Sequence, residues 1–234
     1  LYLSGMVNVI YEDNHLIALN KPAGLLVHSD QTGDETLEEQ AKFYIKHQYN
    51  KPGDVFLGVI HRLDRPVSGA VVFARTSKAL KRMNELIRER AIRKQYLAIS
   101  DKRPFPEKGK LVHYLIKNRS KNIVKVYDEP KKKSREAKKA ILNYELLAAF
   151  EGKALIKIDL VTGRPHQIRA QLAHIGCPVL GDVKYGKFRP LKDKSIALHS
   201  HLMEFVHPVK KEPIQITCQP PQQLWWDQFK EFYV

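Results

Sequence analysis

The chain is poor in cysteine and in acidic charge, and it has no long apolar run. Its two cysteines, Cys177 and Cys218, cannot build a disulfide framework or an all-cysteine zinc site. No hydrophobic stretch approaches the ~18 residues of a membrane-spanning helix. The N-terminus lacks the ordered basic, apolar and small-residue regions of a secretory signal. A reducing cytoplasm is therefore the expected compartment, with no membrane partner. The G-x-x-x-x-G-K-S/T phosphate loop is absent, and so are G-x-G-x-x-G and H-E-x-x-H. No G-x-S-x-G nucleophile elbow occurs either. The ten histidines include His199 and His201, but no second pair stands at metal-ligand spacing, so no metal is expected.

Basic charge is plentiful. Forty Lys and Arg face twenty-five Asp and Glu, a net charge of +15. Such an excess favours a polyanionic partner, most often nucleic acid. The charge is clustered. Residues 78–94 hold Lys78, Lys81, Arg82, Arg88, Arg90, Arg93 and Lys94 against Glu85 and Glu89. Residues 117–139 hold ten basic side chains against Asp128, Glu129 and Glu136. One such run is commonly a solvated face; two favour a phosphate track that works by counterion release.

Hydrophobic residues make up 43% of the chain, enough for a sizeable core. No repeat, low-complexity tract or linker interrupts it. Leu1–Gly5 precede Met6 and read as a remnant ahead of the natural start, leaving residues 6–234 as a single expected domain. Val7 to Leu19 reads as two strands around a turn at Glu12-Asp13-Asn14. Thr36 and Glu39 form a capping box, and Leu37, Ala41, Tyr44 and Ile45 follow on one helical face. An extended run over Val55–Ile60 leads into a loop, His61–Ser68, and a strand over Gly69–Ala74. A second helix, capped by Thr76 or Ser77, buries Ala79, Leu80, Met83, Leu86 and Ile87. Strands are expected at 95–100, 111–116, 122–127, 140–148, 154–161, 196–205 and 213–218. A third helix is expected from about Arg164 to Ile175, ended by Gly176, and a short last one carries Leu224, Trp225 and Phe229. Many strands, few helices and no βαβ alternation make this an α+β chain on a mostly antiparallel or mixed sheet.

Two loops carry dense polar chemistry. In His61-Arg62-Leu63-Asp64-Arg65-Pro66-Val67-Ser68-Gly69 one carboxylate lies among cationic neighbours that favour its ionised form. With no second acid, Asp64 suits a nucleophile or a single base; a turn opened by Asp64 ahead of Arg65-Pro66 explains the spacing equally well. In Thr162-Gly163-Arg164-Pro165-His166-Gln167-Ile168-Arg169, the amides at a helix start, Arg164 and His166 could meet a phosphate. Arg169 has no acidic residue at i±3 or i±4, so its partner must come from elsewhere in the fold. A solvent-facing arginine is the competing reading.

These residues resemble the motifs of the RluA/TruC-type RNA pseudouridine synthases. His61-Arg62-Leu63-Asp64 with Ser68-Gly69 is similar to that family's signature loop. Lys21-Pro22-Ala23-Gly24-Leu25-Leu26-Val27-His28, Lys94-Gln95-Tyr96, Thr162 to Arg169, Gly181-Asp182-Val183-Lys184-Tyr185-Gly186 and Leu198-His199 resemble its other motifs, in order, from Val7 to Cys218. Val67 stands where many relatives have threonine. The resemblance implies the pseudouridine synthase fold, a central sheet flanked by helices with an active-site cleft. It implies a catalytic domain without a separate N-terminal RNA-binding domain, and an isomerase that needs no metal or organic cofactor. The enzyme would break the glycosidic bond of a uridine in RNA, turn the base and form a carbon–carbon bond to the sugar.

The resemblance makes Asp64, Tyr96 and Arg169 the catalytic set. Asp64 is the essential aspartate, by attack on sugar or base or by removal of the 2′ proton. Tyr96 packs on the base, and Arg169 pairs with the aspartate. A strand tyrosine half in the core is the plain alternative for Tyr96. The target base must leave its stack, and Arg62, with a planar guanidinium, is the candidate to fill the gap. The RNA-binding set is His61, Arg62, Arg65, Arg164, His166, Gln167, Lys21, Lys131, Lys132 and Lys133. The partner is a tRNA or an rRNA stem-loop, and the chain is expected to be a monomer. The alternative function is a non-catalytic RNA-binding or RNA-chaperone protein that keeps the fold. Such a protein would have no need of Asp64, which repels phosphate.

Overall fold

Asp13 makes the first turn. Its Oδ1 accepts the N–H groups of His15 and Leu16, each at 2.8 Å, so the chain reverses between β1 (Asn8–Glu12) and β2 (Leu16–Lys21). The computed structural model describes residues 7–130, 136–186 and 189–233. They group into two compact units, Leu1–Ile92 with Ser200–Cys218, and Arg93–His199 with Gln219–Val234.

In the first unit β2 pairs antiparallel with β1 and with β4 (Ser68–Ala74); β3 (Gly58–Val59) also pairs with β4. Beyond β4 lies β10 (Leu198–Val206), which pairs antiparallel with β11 (Pro213–Thr217). Alternation sorts the side chains of β2 and β4 onto two faces. Leu16, Ala18, Ala70, Val72 and Ala74 meet α2 (Ser77–Arg88) through Ala79 and Met83. Ile17, Leu19, Val71 and Phe73 meet α1 (Leu37–Gln48) through Leu37, Ala41 and Ile45. The sheet is thus covered by a helix on each face, which is why β4 is buried throughout. The capping box forms as expected: Thr36 Oγ1 accepts the Glu39 N–H at 3.2 Å, and Glu39 Oε2 accepts the Thr36 N–H at 2.9 Å. Thr36 itself is 1% exposed. The run expected over Val55–Ile60 is a strand only at Gly58–Val59.

The second unit is an antiparallel sheet in the order β5-β9-β8-β6-β7, made of β5 (Arg93–Ser100), β6 (Lys108–Asn118), β7 (Ile123–Tyr127), β8 (Lys138–Phe150) and β9 (Lys153–Leu160). Ala170 of α3 (Gln167–His174) packs with Leu115, Val124 and Ala140 of this sheet. The last helix, α4 (Leu224–Asp227), departs from expectation: Leu224 is 84% exposed, and Trp226 with Phe229 fills the interior. The run there is too short for an amphipathic stripe to specify which tryptophan turns inward. The α+β expectation with a largely antiparallel sheet holds.

One glycine in the first unit is set by backbone packing. Gly69, the second residue of β4, has φ +117°, and an added Cβ would lie 2.4 Å from Ser200 O and 2.5 Å from Ser200 N. A side chain there meets main chain that cannot swing aside. Gly69→Ala is expected to destabilise the protein by about 3 kcal/mol, the upper range of overpacking in a tight core. Chemical denaturation checks this, and an unchanged midpoint would mean that β10 yields freely at Ser200.

Candidate active site

Asp64 lies on the loop that joins β3 to β4, and this loop is built on main-chain contacts. The Asp64 carbonyl accepts the Val67 N–H at 3.0 Å, closing a turn over Arg65-Pro66. The turn reading and the site reading therefore coexist: the backbone of Asp64 makes the turn, and its side chain is left half-buried above it. His61 Nε2 accepts the Val72 N–H at 3.0 Å, one position beyond the last β3–β4 pair, Val59 with Phe73. The imidazole thus continues the ladder where the short strand stops. Arg62 and Arg65 are exposed. Arg65 ties down the neighbouring loop: its Nε donates to Gly24 O at 2.9 Å, its carbonyl accepts the Gly24 N–H at 2.8 Å, and its Nη1 meets Asp34 at 2.7 Å.

Lys21 takes a different place from the RNA-facing one expected of it. It is 0% exposed. Its Nζ donates to Pro22 O at 2.9 Å, Leu25 O at 2.7 Å and Arg65 O at 3.2 Å. The ammonium thus holds together the loop after β2 and the loop of Asp64. Burial pushes the Lys21 pKa down to about 7, while the charge of Asp64 works the other way. The Lys-Pro dipeptide was visible in the sequence, but nothing in its spacing revealed which carbonyls the amine would serve.

In the second unit the Thr162–Arg169 stretch is a hydrogen-bonded loop followed by a short helix. The third helix was expected from Arg164; it begins at Gln167, after His166 in the left-handed region at φ 50°. Gln167 is 3% exposed, and its amide is used inside the protein. Its Oε1 accepts from Thr162 Oγ1 at 2.8 Å and from the Arg164 N–H at 3.0 Å, and its Nε2 donates to Ile141 O at 3.1 Å. Gln167 is therefore an internal staple rather than an RNA contact, and it holds the loop off the helical path. Arg164 stays exposed, with Nε donating to Lys139 O at 3.1 Å.

Arg169 is buried, and both arms of its guanidinium reach Asp182: Nε to Oδ2 at 2.7 Å and Nη2 to Oδ1 at 2.9 Å. Asp182 is an acidic partner from elsewhere in the fold, a residue that the sequence did not single out for this pairing. Its Oδ1 also accepts the N–H groups of Lys184 at 3.0 Å and Tyr185 at 3.3 Å. The Tyr185 hydroxyl accepts the Val124 N–H at 2.8 Å and lies 2.7 Å from His166 Nδ1. The Tyr185 ring lies under the Arg169 guanidinium at 5.3 Å. Two stretches recognised separately in the sequence thus form one lock. Tyr96, on β5 opposite Ile158, is 7% exposed. Lys131, Lys132 and Lys133 lie outside the described residues.

The Lys21 staple has a measurable consequence. Lys21→Met leaves three carbonyls without their donor, at ~1–3 kcal/mol for each group left unsatisfied. A loss of about 3 kcal/mol or more in denaturation is expected. The folded protein releases the Lys21 proton near pH 7, whereas the unfolded chain holds it until about 10.5. The unfolded state therefore binds more protons between these values, and the stability contributed by Lys21 rises with pH across that window. The difference between wild type and Lys21→Met should grow from pH 7 towards 10; a difference that shrinks would overturn the assignment.

Residues 15–174 match the RNA pseudouridylate synthase family. The chain is 34% identical to the tRNA pseudouridine synthase C of Haemophilus ducreyi, covering 97% of this chain and 96% of that protein. It is also 34% identical to the ribosomal large subunit pseudouridine synthase C of Buchnera aphidicola, covering 90% of this chain and 66% of the relative. The fold matches that of human RNA pseudouridylate synthase domain containing 4 with a TM-score of 0.75 at 23% identity, over 92% of this chain and 89% of that one. By sequence and by fold the chain belongs to the RNA pseudouridylate synthase family, the isomerases that convert uridine in RNA to pseudouridine.

Proposed function

We propose that this protein isomerises one or more uridines of tRNA or rRNA, with Asp64 as the catalytic aspartate and Tyr96 and Arg169 completing the catalytic set. The observation that carries this reading is the loop of Asp64. The loop that carries this half-exposed carboxylate is held by a main-chain turn, by the His61–Val72 bond and by a buried ammonium on the Arg65 carbonyl. A binding protein gains nothing from fixing a negative charge where phosphates must approach. A reaction that needs a carboxylate at a set position does gain, because orientation made in advance lowers the barrier. Tyr96 and Arg169 join the set because the motifs that contain them match those of the family.

Arg62 is exposed, and among the described residues no hydrogen bond or ion pair holds it. Its side chain is free to stack where the flipped uridine leaves its neighbours, at ~a few kcal/mol of unstacking. Docking rests on phosphate contacts. Lys78, Lys81 and Arg88 of α2 are exposed, whereas Arg82 is half-buried with Nη1 on Pro208 O at 2.9 Å. Lys94 is on β5, where burial lowers its pKa. The basic run of residues 78–94 therefore divides between RNA-facing and structural side chains. Among the described residues no helix is long and apolar enough to cross a membrane. We place the protein in the cytoplasm, acting as a monomer on RNA.

Asp64→Asn should retain RNA binding and lose product formation by on the order of 10⁴-fold in single-turnover assays. Turnover near the wild-type level would remove Asp64 from its role. Mapping pseudouridine at nucleotide resolution in RNA from cells lacking the gene, complemented with wild type or Asp64→Asn, identifies the modified positions. Replacing Lys78, Lys81 and Arg88 by glutamine should weaken binding and reduce the slope of log K against log salt by ~0.7–0.9 for each phosphate no longer neutralised. An unchanged slope would exclude α2 from the track.

A further inference from the structure

Three side chains that no sequence spacing relates meet at one place in the second unit. His113 comes from β6, Asp128 from the residue just after β7, and His174 from the last turn of α3. Asp128 Oδ1 lies 2.9 Å from His174 Nε2 and 3.6 Å from His113 Nε2. The two imidazoles stand edge to face, their centroids 4.9 Å apart at 77°. The ligand atoms of all three residues lie within 4.8 Å of one another. We propose that His113, Asp128 and His174 bind one divalent transition-metal ion, with Zn²⁺ as the best fit.

The donor set and its spacing support this. Two imidazoles and one carboxylate suit Zn²⁺ and are too rich in nitrogen for Mg²⁺ or Ca²⁺. A tetrahedral Zn²⁺ with bonds of ~2.0–2.2 Å needs donors ~3.3 Å apart. The observed separations reach that value through small side-chain rotations. The Asp128 side chain is 76% exposed, so solvent can reach the fourth position, while the His113 side chain is 10% exposed and anchors the site from within.

A second observation concerns the residue behind His113. Gln171 is fully buried; its Nε2 lies 2.9 Å from His113 Nδ1, and its Oε1 is buried with no partner. A histidine that binds metal through Nε2 carries its proton on Nδ1 and donates it to an acceptor behind the ring. Turning the Gln171 amide over brings Oε1 to Nδ1 and gives that oxygen its partner. The bond surrendered, from Nε2 to Ala140 O, is long at 3.4 Å. Gln171 is thus a positioning residue that serves either state. A bound ion would tie the end of β7 to α3, the helix that carries Arg169. Its role is structural, and it is independent of how the RNA chemistry proceeds.

The test uses the full chain, stripped with chelator and titrated with Zn²⁺ by calorimetry and with Co²⁺ by visible absorption. One ion per chain is expected, with Co²⁺ bands of a tetrahedral site that Zn²⁺ bleaches. Asp128→Asn and His174→Ala, both at exposed positions, should each weaken Zn²⁺ binding by at least tenfold. Gln171→Leu should weaken it by ~10–100-fold. Zn²⁺ should raise the melting temperature of wild type and not that of His174→Ala. Absence of stoichiometric binding overturns the proposal. So does affinity unchanged in both Asp128→Asn and His174→Ala, because the ion would then belong to other histidines.

Discussion

An ammonium with no solvent exposure lies beneath the loop that presents Asp64, and the local structure is arranged around it. Lys21 reaches three main-chain carbonyls, from the loop that follows β2 and from the loop that precedes β4. Taking an ammonium out of water is costly, and the Lys21 pKa, pushed down to about 7, records that cost. The carbonyl bonds and the charge of Asp64 offset it. Loops at the ends of strands are ordinarily the mobile parts of a fold. Here one is bound from below by Lys21 and from the side by Arg65, with Gly69 fitted against the main chain of Ser200. The main chain that carries the carboxylate is thereby fixed, as a reaction that depends on placement requires.

The second unit solves a similar problem by another route. Arg169 is buried, and a buried guanidinium needs its donors occupied. Asp182 meets it with two oxygens and accepts two main-chain N–H groups as well. Tyr185, three residues on, lies along the guanidinium and joins His166 to β7 through Val124. Thr162 and Gln167 anchor the loop ahead of the helix on Ile141. Of the polar side chains in this stretch, only that of Arg164 is exposed, although most of it has the composition of a phosphate site. Dense polar sequence is therefore a poor guide to what faces the ligand, because internal hydrogen bonding uses the same residue types.

The basic charge divides in the same way. Arg75 pairs with Glu12 at 2.8 Å with both side chains largely buried, and Arg82 serves Pro208 O. Lys78, Lys81 and Arg88 are left to solvent on α2. A net charge of +15 marks a partner of opposite sign, but the fold decides which of the cations are available to meet it.

Local rules were enough for much of the architecture. The apolar runs Leu16–Leu19 and Ala70–Ala74, the Thr36 box and the stripe of α2 each depend on neighbours within a few residues, and those elements form as their patterns require. The loop of Asp64 was likewise legible, because a carboxylate among cations at a strand end is a local arrangement. What the sequence left open depends on residues far apart in the chain. Two of the carbonyls that hold Lys21 are close in sequence, those of Pro22 and Leu25, but the third, of Arg65, lies 44 residues away, and the local sequence does not separate a buried amine from an RNA-facing one. Asp182 lies 13 residues beyond Arg169, and only folding brings the two together. The tests for metal spacing passed over His113, Asp128 and His174, which three separate elements bring together. Periodicity and capping act along the chain and can be read from it. Burial of charge is settled between segments, and only the tertiary structure decides which segments meet.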